Sequence, residues 1–208
     1  MAALSPSASE QWGMITAAQA RRLGISRVDL SRLVGDGTLE AVAGAARVYR
    51  LTGVPEDADV DAVRAAWLQL GGSRTWEERR GDVDAVVSHR SAAHVRGLGD
   101  LIPRTHDFYV PVRRRLRRGD VRLRVRADLA AVQWGMWAGL PVCTIERIVT
   151  DLVADHEDES AVAQVIRDAL RDGLLSREAV RRAVEDHAGD YGHRTADAMV
   201  AVLTGDEE

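Results

Sequence analysis

The chain has 208 residues, one cysteine (Cys143) and a formal net charge of −4, and all 28 of its basic residues are arginine. A lone cysteine excludes a disulfide framework and a cysteine-rich zinc site. The absence of lysine excludes a P-loop, a Schiff-base centre and the usual nuclease core of two acids and a lysine. No apolar run reaches the ~18 residues of a membrane helix, and residues 1–10 lack the basic start and apolar core of a secretory signal. The expectation is a cytoplasmic protein without membrane contact, long enough for one large domain or two modest ones.

The first elements lie between Gly13 and Leu51. Thr16-Ala17-Ala18-Gln19 has the form of a capping box, and so does Ser26-Arg27-Val28-Asp29, with Asp29 in place of a longer acid. Ile25 and Leu30 take the positions of a hydrophobic staple around the second helix start. Gly24 allows a tight turn between the helices, and Gly35-Asp36-Gly37 ends the second one. Leu39 to Val42, a Gly44-Ala45-Ala46 tip and Arg47 to Leu51 then read as a hairpin. Two short helices followed by a basic hairpin form a winged helix-turn-helix, with one helix in a major groove and the wing over the backbone. Burying Leu30, Leu33 and Val34 leaves Arg27, Ser31 and Arg32 to contact DNA, with Arg47 and Arg50 reaching phosphates from the wing. The same pattern also describes two amphipathic helices and a hairpin in an ordinary small domain.

Thr52 to Asp59 reads as a linker, giving a DNA-binding domain over 1–54 and a second, mixed α+β domain over 60–208 that ends in a helical region. Val60 to Leu70 has helical spacing, and Gly71 to Asp84 reads as an exposed loop. Ala85-Val86-Val87 reads as a short strand leading into a helix, capped by Ser88, that runs on to about Gly97. Strands follow at Asp107 to Pro111 and Val121 to Arg126, the latter with Arg122, Arg124 and Arg126 on one face. Another strand lies within Ala131 to Val142, with Trp134 and Trp137 in the core. Helices follow from Thr144, around Val162 to Leu170, from Ser176, and from about His193 to Leu203. The fold class is therefore α+β.

Charge is unevenly distributed. Residues 1–54 carry a net +2, 55–96 a net −2, 97–149 a net +5 and 150–208 a net −9. The front and middle suit phosphate, and the rear repels it. The densest cluster is Arg113, Arg114, Arg115, Arg117 and Arg118. As a hairpin tip it projects a positive knob toward phosphate or an acidic partner; as a plain charged run it is a solvated loop.

Candidate chemistry is sparse. His89 and His94 are five apart, the wrong spacing for two metal ligands on one helical face, and no H-E-x-x-H occurs. Ser88 and His89 are adjacent and point apart on a helix. Arg147 and Asp151 make an ordinary i,i+4 pair. The expectation is no catalytic residue, no metal, no cofactor and no enzyme activity.

Gly13-Met14-Ile15-Thr16, Gly24-Ile25-Ser26 and Arg47-Val48-Tyr49-Arg50-Leu51 resemble the N-terminal winged helix of AbiEi-family antitoxins. Ser88-His89-Arg90-Ser91-Ala92-Ala93 and Gly139 to Arg147, ending in Asp151-Leu152, resemble the second domain of the same proteins. Ile148-Val149-Thr150, where a Thr-Leu-type pair is more usual, and the acidic tail depart from that pattern. The resemblance implies a bacterial type IV toxin–antitoxin system. The antitoxin would repress its own operon at inverted repeats in duplex DNA and counter a nucleotidyltransferase toxin without a required stable complex. The rival readings are a plain winged-helix regulator whose rear domain binds an effector or dimerises, and a degenerate, non-catalytic nuclease-like protein.

Overall fold

In the computed structural model, which describes residues 4–114 and 118–205, the chain is α+β and divides into two compact units between Ala85 and Val86. In the first, helix α1 (Ser5–Ser9) leads into strand β1 (Met14–Thr16). Both capping boxes form. Thr16 starts α2 (Ala17–Arg22) and Ser26 starts α3 (Arg27–Gly35), each with the reciprocal side-chain and backbone bonds in place. Gly24, with φ of 80°, makes the turn between them. Strands β2 (Leu39–Ala41) and β3 (Val48–Leu51) form the wing, and β1 joins them in an antiparallel sheet of order β1-β3-β2. Leu4, Ile15, Ala20, Leu30 and Leu39 make the core beneath this motif. Neither α1 nor β1 follows from periodicity, because each is too short to carry a repeat.

The first unit does not end at the expected linker. Helix α4 (Asp61–Leu70) and helix α5 (Trp76–Arg80) belong to it, so its boundary lies well beyond residue 54. The segment before α4 is pinned, since the Asp57 amide donates to the Asp61 carboxylate at 2.8 Å. The expected loop over Gly71–Asp84 contains α5, started by a complete Thr75/Glu78 capping box. Arg79 of this helix is fully buried. It stacks on Trp67 with its guanidinium carbon 3.4 Å from the ring centroid, and it pairs with Asp84 at 2.6 Å. A composition-based reading treats an arginine and its neighbours as solvated. Here the arginine is interior because it has both an aromatic face and a carboxylate.

The second unit is built on a five-stranded mixed sheet. Strand β4 (Val86–Val87) precedes α6 (His89–Val95), followed by β5 (His106–Val110), β6 (Val121–Val125), β7 (Trp134–Trp137) and β8 (Leu140–Cys143). The order is β6-β5-β4-β8-β7. One expected strand in 131–142 is in fact a hairpin, β7–β8, turned by Ala138 and Gly139 with φ of 50° and 79°. Positive φ at both central residues is what a two-residue hairpin turn requires. Trp134 and Trp137 lie on the edge strand β7 rather than in the core, and Trp137 is 42% exposed. Helices α7 (Ile145–Ala154), α8 (Glu159–Arg171), α9 (Arg177–Val184) and α10 (Ala196–Thr204) complete the unit as the expected helical region. Their apolar faces, including Ile148, Leu152, Val165, Ile166, Val180 and Leu203, are buried.

Candidate nucleic-acid interface

Helix α3 sorts its residues between core and surface. Leu30 is buried and Leu33 half-buried against the motif's core, whereas Arg27, Val28, Ser31 and Arg32 are exposed. These four lie at i, i+1, i+4 and i+5, so they share one face. Together they line a shallow groove of about 510 Å³. Val34, expected in the core, is instead exposed near the helix end. Val28 is 77% exposed, an apolar side chain in the middle of the polar face. The Ser26 hydroxyl donates to Asp29 at 2.6 Å and holds that carboxyl below the usual carboxylate range. Arg32 pairs with Asp29 at 2.9 Å but stays largely exposed, so it can exchange that contact for another anion.

In the wing, Arg47 is exposed at the tip with φ of 62°. Its carbonyl accepts from the Ala17 amide at 2.9 Å, which ties the tip to the start of α2. Arg50 is different. It lies on the central strand β3 and is 1% exposed, ion-paired to Asp61 and, at 2.8 Å, to Glu56. The expectation that Arg50 reaches DNA is therefore corrected. Alternation along β3 puts Arg50 on the same buried face as Val48, toward Asp61, which lies beyond the expected linker, whereas Arg47 precedes the strand in a left-handed turn. On α2, Arg22 is also committed, with both Nη atoms donating to Glu78.

The second basic cluster is not a hairpin tip. β5 and β6, on either side of it, pair in parallel, His106 opposite Val121 and Val110 opposite Val125, which is not the pairing of a hairpin. Arg113, Arg114 and Arg118 line a groove of about 360 Å³ beside Val121, Leu123 and Val125 of edge strand β6. Arg118 is paired with Asp120. Arg115 and Arg117 lie outside the described residues. The arginine face of β6 is also engaged: Arg122 and Arg124 approach Asp107 at 3.7 and 3.4 Å, and Arg124 also pairs with Asp155.

A buried polar cluster in the second unit is built around the expected i,i+4 pair of Arg147 and Asp151, and its other members come from distant positions. The Tyr109 hydroxyl donates to Asp151 at 2.6 Å, and Arg147 donates to the Tyr109 oxygen at 2.9 Å and pairs with Asp151 at 2.5 Å. Burial pushes the Asp151 carboxyl up and, helped by the Asp151 charge, pushes Tyr109 up to about 12. The His89 ring stacks near Tyr109, its Nδ1 3.6 Å from Asp151, and burial together with the Arg124 charge pushes its pKa well down. Ser88 starts α6 without a side-chain cap, contrary to expectation, and its hydroxyl is buried without a hydrogen-bond partner. These residues are scattered between 88 and 151, so only the sheet brings them together. Among the described residues no group of three or more His, Cys, Asp or Glu is placed to hold a metal ion, and no helix is long and apolar enough to cross a membrane.

Residues 3–43 match the family model described as "Transcriptional regulator, AbiEi antitoxin". No curated protein matches the chain. Among solved structures it is similar to the RV2827C protein from Mycobacterium tuberculosis, with 16% identity and a TM-score of 0.53 over 97% of this chain and 74% of that one. That likeness concerns the fold alone. The matched segment contains α2, the Gly24 turn, α3 and strand β2, the elements that present Arg27, Val28, Ser31 and Arg32. Over residues 3–43, the segment that holds the helix-turn-helix, this chain is similar to the AbiEi antitoxin family of transcriptional regulators.

Proposed function

We propose that the chain is the DNA-binding antitoxin of a bacterial type IV toxin–antitoxin system. In this reading the first unit, through its helix-turn-helix and wing, represses its own operon by binding inverted repeats in duplex DNA. The second unit, from Val86 onward, counters a nucleotidyltransferase toxin without a required stable complex. The protein acts in the cytoplasm, takes no cofactor and performs no catalysis.

The observation that carries the reading is the outer face of α3. Arg27, Val28, Ser31 and Arg32 have no role in the core, and they lie on the second helix of a helix-turn-helix within the matched family segment. A helix in this position enters the major groove, where an arginine reads guanine through two hydrogen bonds and an apolar methyl meets the thymine methyl. Arg47, exposed at the tip of the wing, favours contact with a phosphate. In the second unit, Arg113, Arg114 and Arg118 beside an exposed edge strand favour contact with a phosphate-bearing or acidic partner.

The nuclease-like alternative is weakened by Asp107. Its carboxylate faces Arg122 and Arg124, so a cation there would have to displace two guanidiniums. The plain regulator remains as the second reading, and co-expression separates the two. With the neighbouring toxin gene expressed, the full chain should restore growth, and an Arg27/Arg32/Arg47 triple-alanine variant should restore growth while losing promoter repression. Repression without any restoration of growth by the wild-type chain would leave the regulator and remove the antitoxin.

A further inference from the structure

A separate feature of the second unit lies where α6 ends beside β7 and the start of α7. Arg96 is the residue at the C-terminal cap of α6. Its guanidinium carbon is 4.5 Å from the centroid of the Trp137 ring. Trp137 is fixed in turn, because its indole N–H donates to the Val95 carbonyl at 3.1 Å. The platform is therefore held by the same helix end that carries the cation. Among the described residues Arg96 has no ion-pair partner, and its Nε is buried with no hydrogen-bond acceptor. The only influence that shifts its ionisation is burial, which disfavours the charge. Elsewhere in this unit the buried or half-buried guanidiniums of Arg90, Arg124 and Arg147 each have a carboxylate. Arg96 is the exception among these, a half-buried cation whose buried Nε–H lacks an acceptor.

The cavity it lines has a volume of about 660 Å³, within the size range of small-molecule sites. Ile145, Leu174, Leu175 and Ala179 supply an apolar wall, with Leu174 48% exposed although it is a leucine. Glu146 also lines it, but that carboxylate is taken by Arg182 at 3.1 and 3.2 Å. We propose that this cleft binds a small organic monocarboxylate with an aryl or alkyl body. The carboxylate would sit on the Arg96 fork and the body would lie against Ile145 and the two leucines. A planar guanidinium matches a carboxylate with two parallel hydrogen bonds. The apolar wall provides for a hydrocarbon body and has nothing to offer a second charged group. One unpaired cation next to the Glu146 charge favours a monoanion over a phosphate dianion.

The test uses the ¹⁵N-labelled full chain and follows the Trp indole N–H and Arg Nε–H signals, with a Trp137→Phe variant to assign the indole. Phenylacetate and octanoate are the probes; phenylacetamide, the neutral isostere, and inorganic phosphate are the controls. Saturable shifts of the Trp137 and Arg96 signals with the two acids are expected, with phenylacetamide and phosphate at least about tenfold weaker. Arg96→Gln should reduce phenylacetate to the level of the amide. Leu174→Glu alters an exposed residue and adds a negative charge to the wall, so it should abolish binding even if the Arg96 variant folds poorly. Three results would each overturn the proposal: no saturable shift with either acid, phosphate binding as tightly as phenylacetate, or unchanged phenylacetate affinity in the folded Leu174→Glu chain. With no binding, Arg96 would be only a stacked cation at the negative end of α6.

Discussion

Arg50 on the central strand of the wing and Asp61 at the start of α4, eleven residues apart, form a buried ion pair that joins the wing to the helix after it. Asp61 also accepts from the Asp57 amide and pairs with Arg64 at 3.1 Å, so the segment between wing and helix converges on one carboxylate. Removing either partner leaves a buried charge with a remaining partner, the exposed Glu56 for Arg50 and Arg64 for Asp61. Asp61→Asn and Arg50→Ala should each destabilise the full chain in urea unfolding, by at most about 3–5 kcal/mol. Loss of DNA affinity in Arg50→Ala with full stability retained would instead restore Arg50 to the DNA surface.

Val28 and Arg47 should behave in the opposite way. Both are exposed, so Val28→Asp and Arg47→Ala should leave the unfolding midpoint within about 0.5 kcal/mol of the wild type. In DNA titrations Val28→Asp should abolish specific binding, since it puts a negative charge in the groove. Arg47→Ala should weaken all sequences alike and lower the salt slope by about one. A sequence-selective effect of Arg47→Ala would mean that the wing reads bases.

The pH dependence of the second unit should reflect His89. Burial and the neighbouring Arg124, Arg147 and Arg122 hold its folded pKa well below the ordinary 6.5, with Asp155 opposing. The unfolded chain therefore takes up the proton first. Stability from this group is present above about pH 6.5 and is lost as the pH falls below it, by at most ~1.4 kcal/mol per pH unit. His89→Asn, which tolerates the positive φ of 52° at this position, should flatten the stability curve between pH 6 and 4 relative to the wild type. The check is chemical denaturation at a series of pH values; an equal slope in the two proteins would assign acid sensitivity to other groups.

What the sequence made legible was local. Both capping boxes of the helix-turn-helix, the Gly24 turn, the wing hairpin and the last four helices depend on residues within a few positions of one another, and each is in place. What it hid depends on partners far along the chain. Arg50 looked solvent-facing because Asp61 was assigned to another domain. Arg79 looked like part of a loop because Trp67 and Asp84 were not seen around it. The arginine run at 113–118 looked like a hairpin tip because nothing local distinguishes an antiparallel return from the parallel pairing of β5 with β6. Of the proposed DNA contacts, Arg27, Ser31, Arg32 and Arg47 lie on exposed surface and Arg50 does not.

The central claim is that the outer face of α3 and the tip of the wing bind the operator. Its most direct test is a fluorescence anisotropy titration of the full chain against duplex DNA from the region upstream of its own gene. Wild type, Arg27→Ala and the Arg27/Arg32/Arg47 triple-alanine variant are compared at matched salt, with circular dichroism to confirm folding. Arg27→Ala should cost ~1–3 kcal/mol on the operator and less on scrambled DNA, and the triple variant should bind both at the same weak, nonspecific level. A folded triple variant that binds the operator as tightly as the wild type would contradict the account.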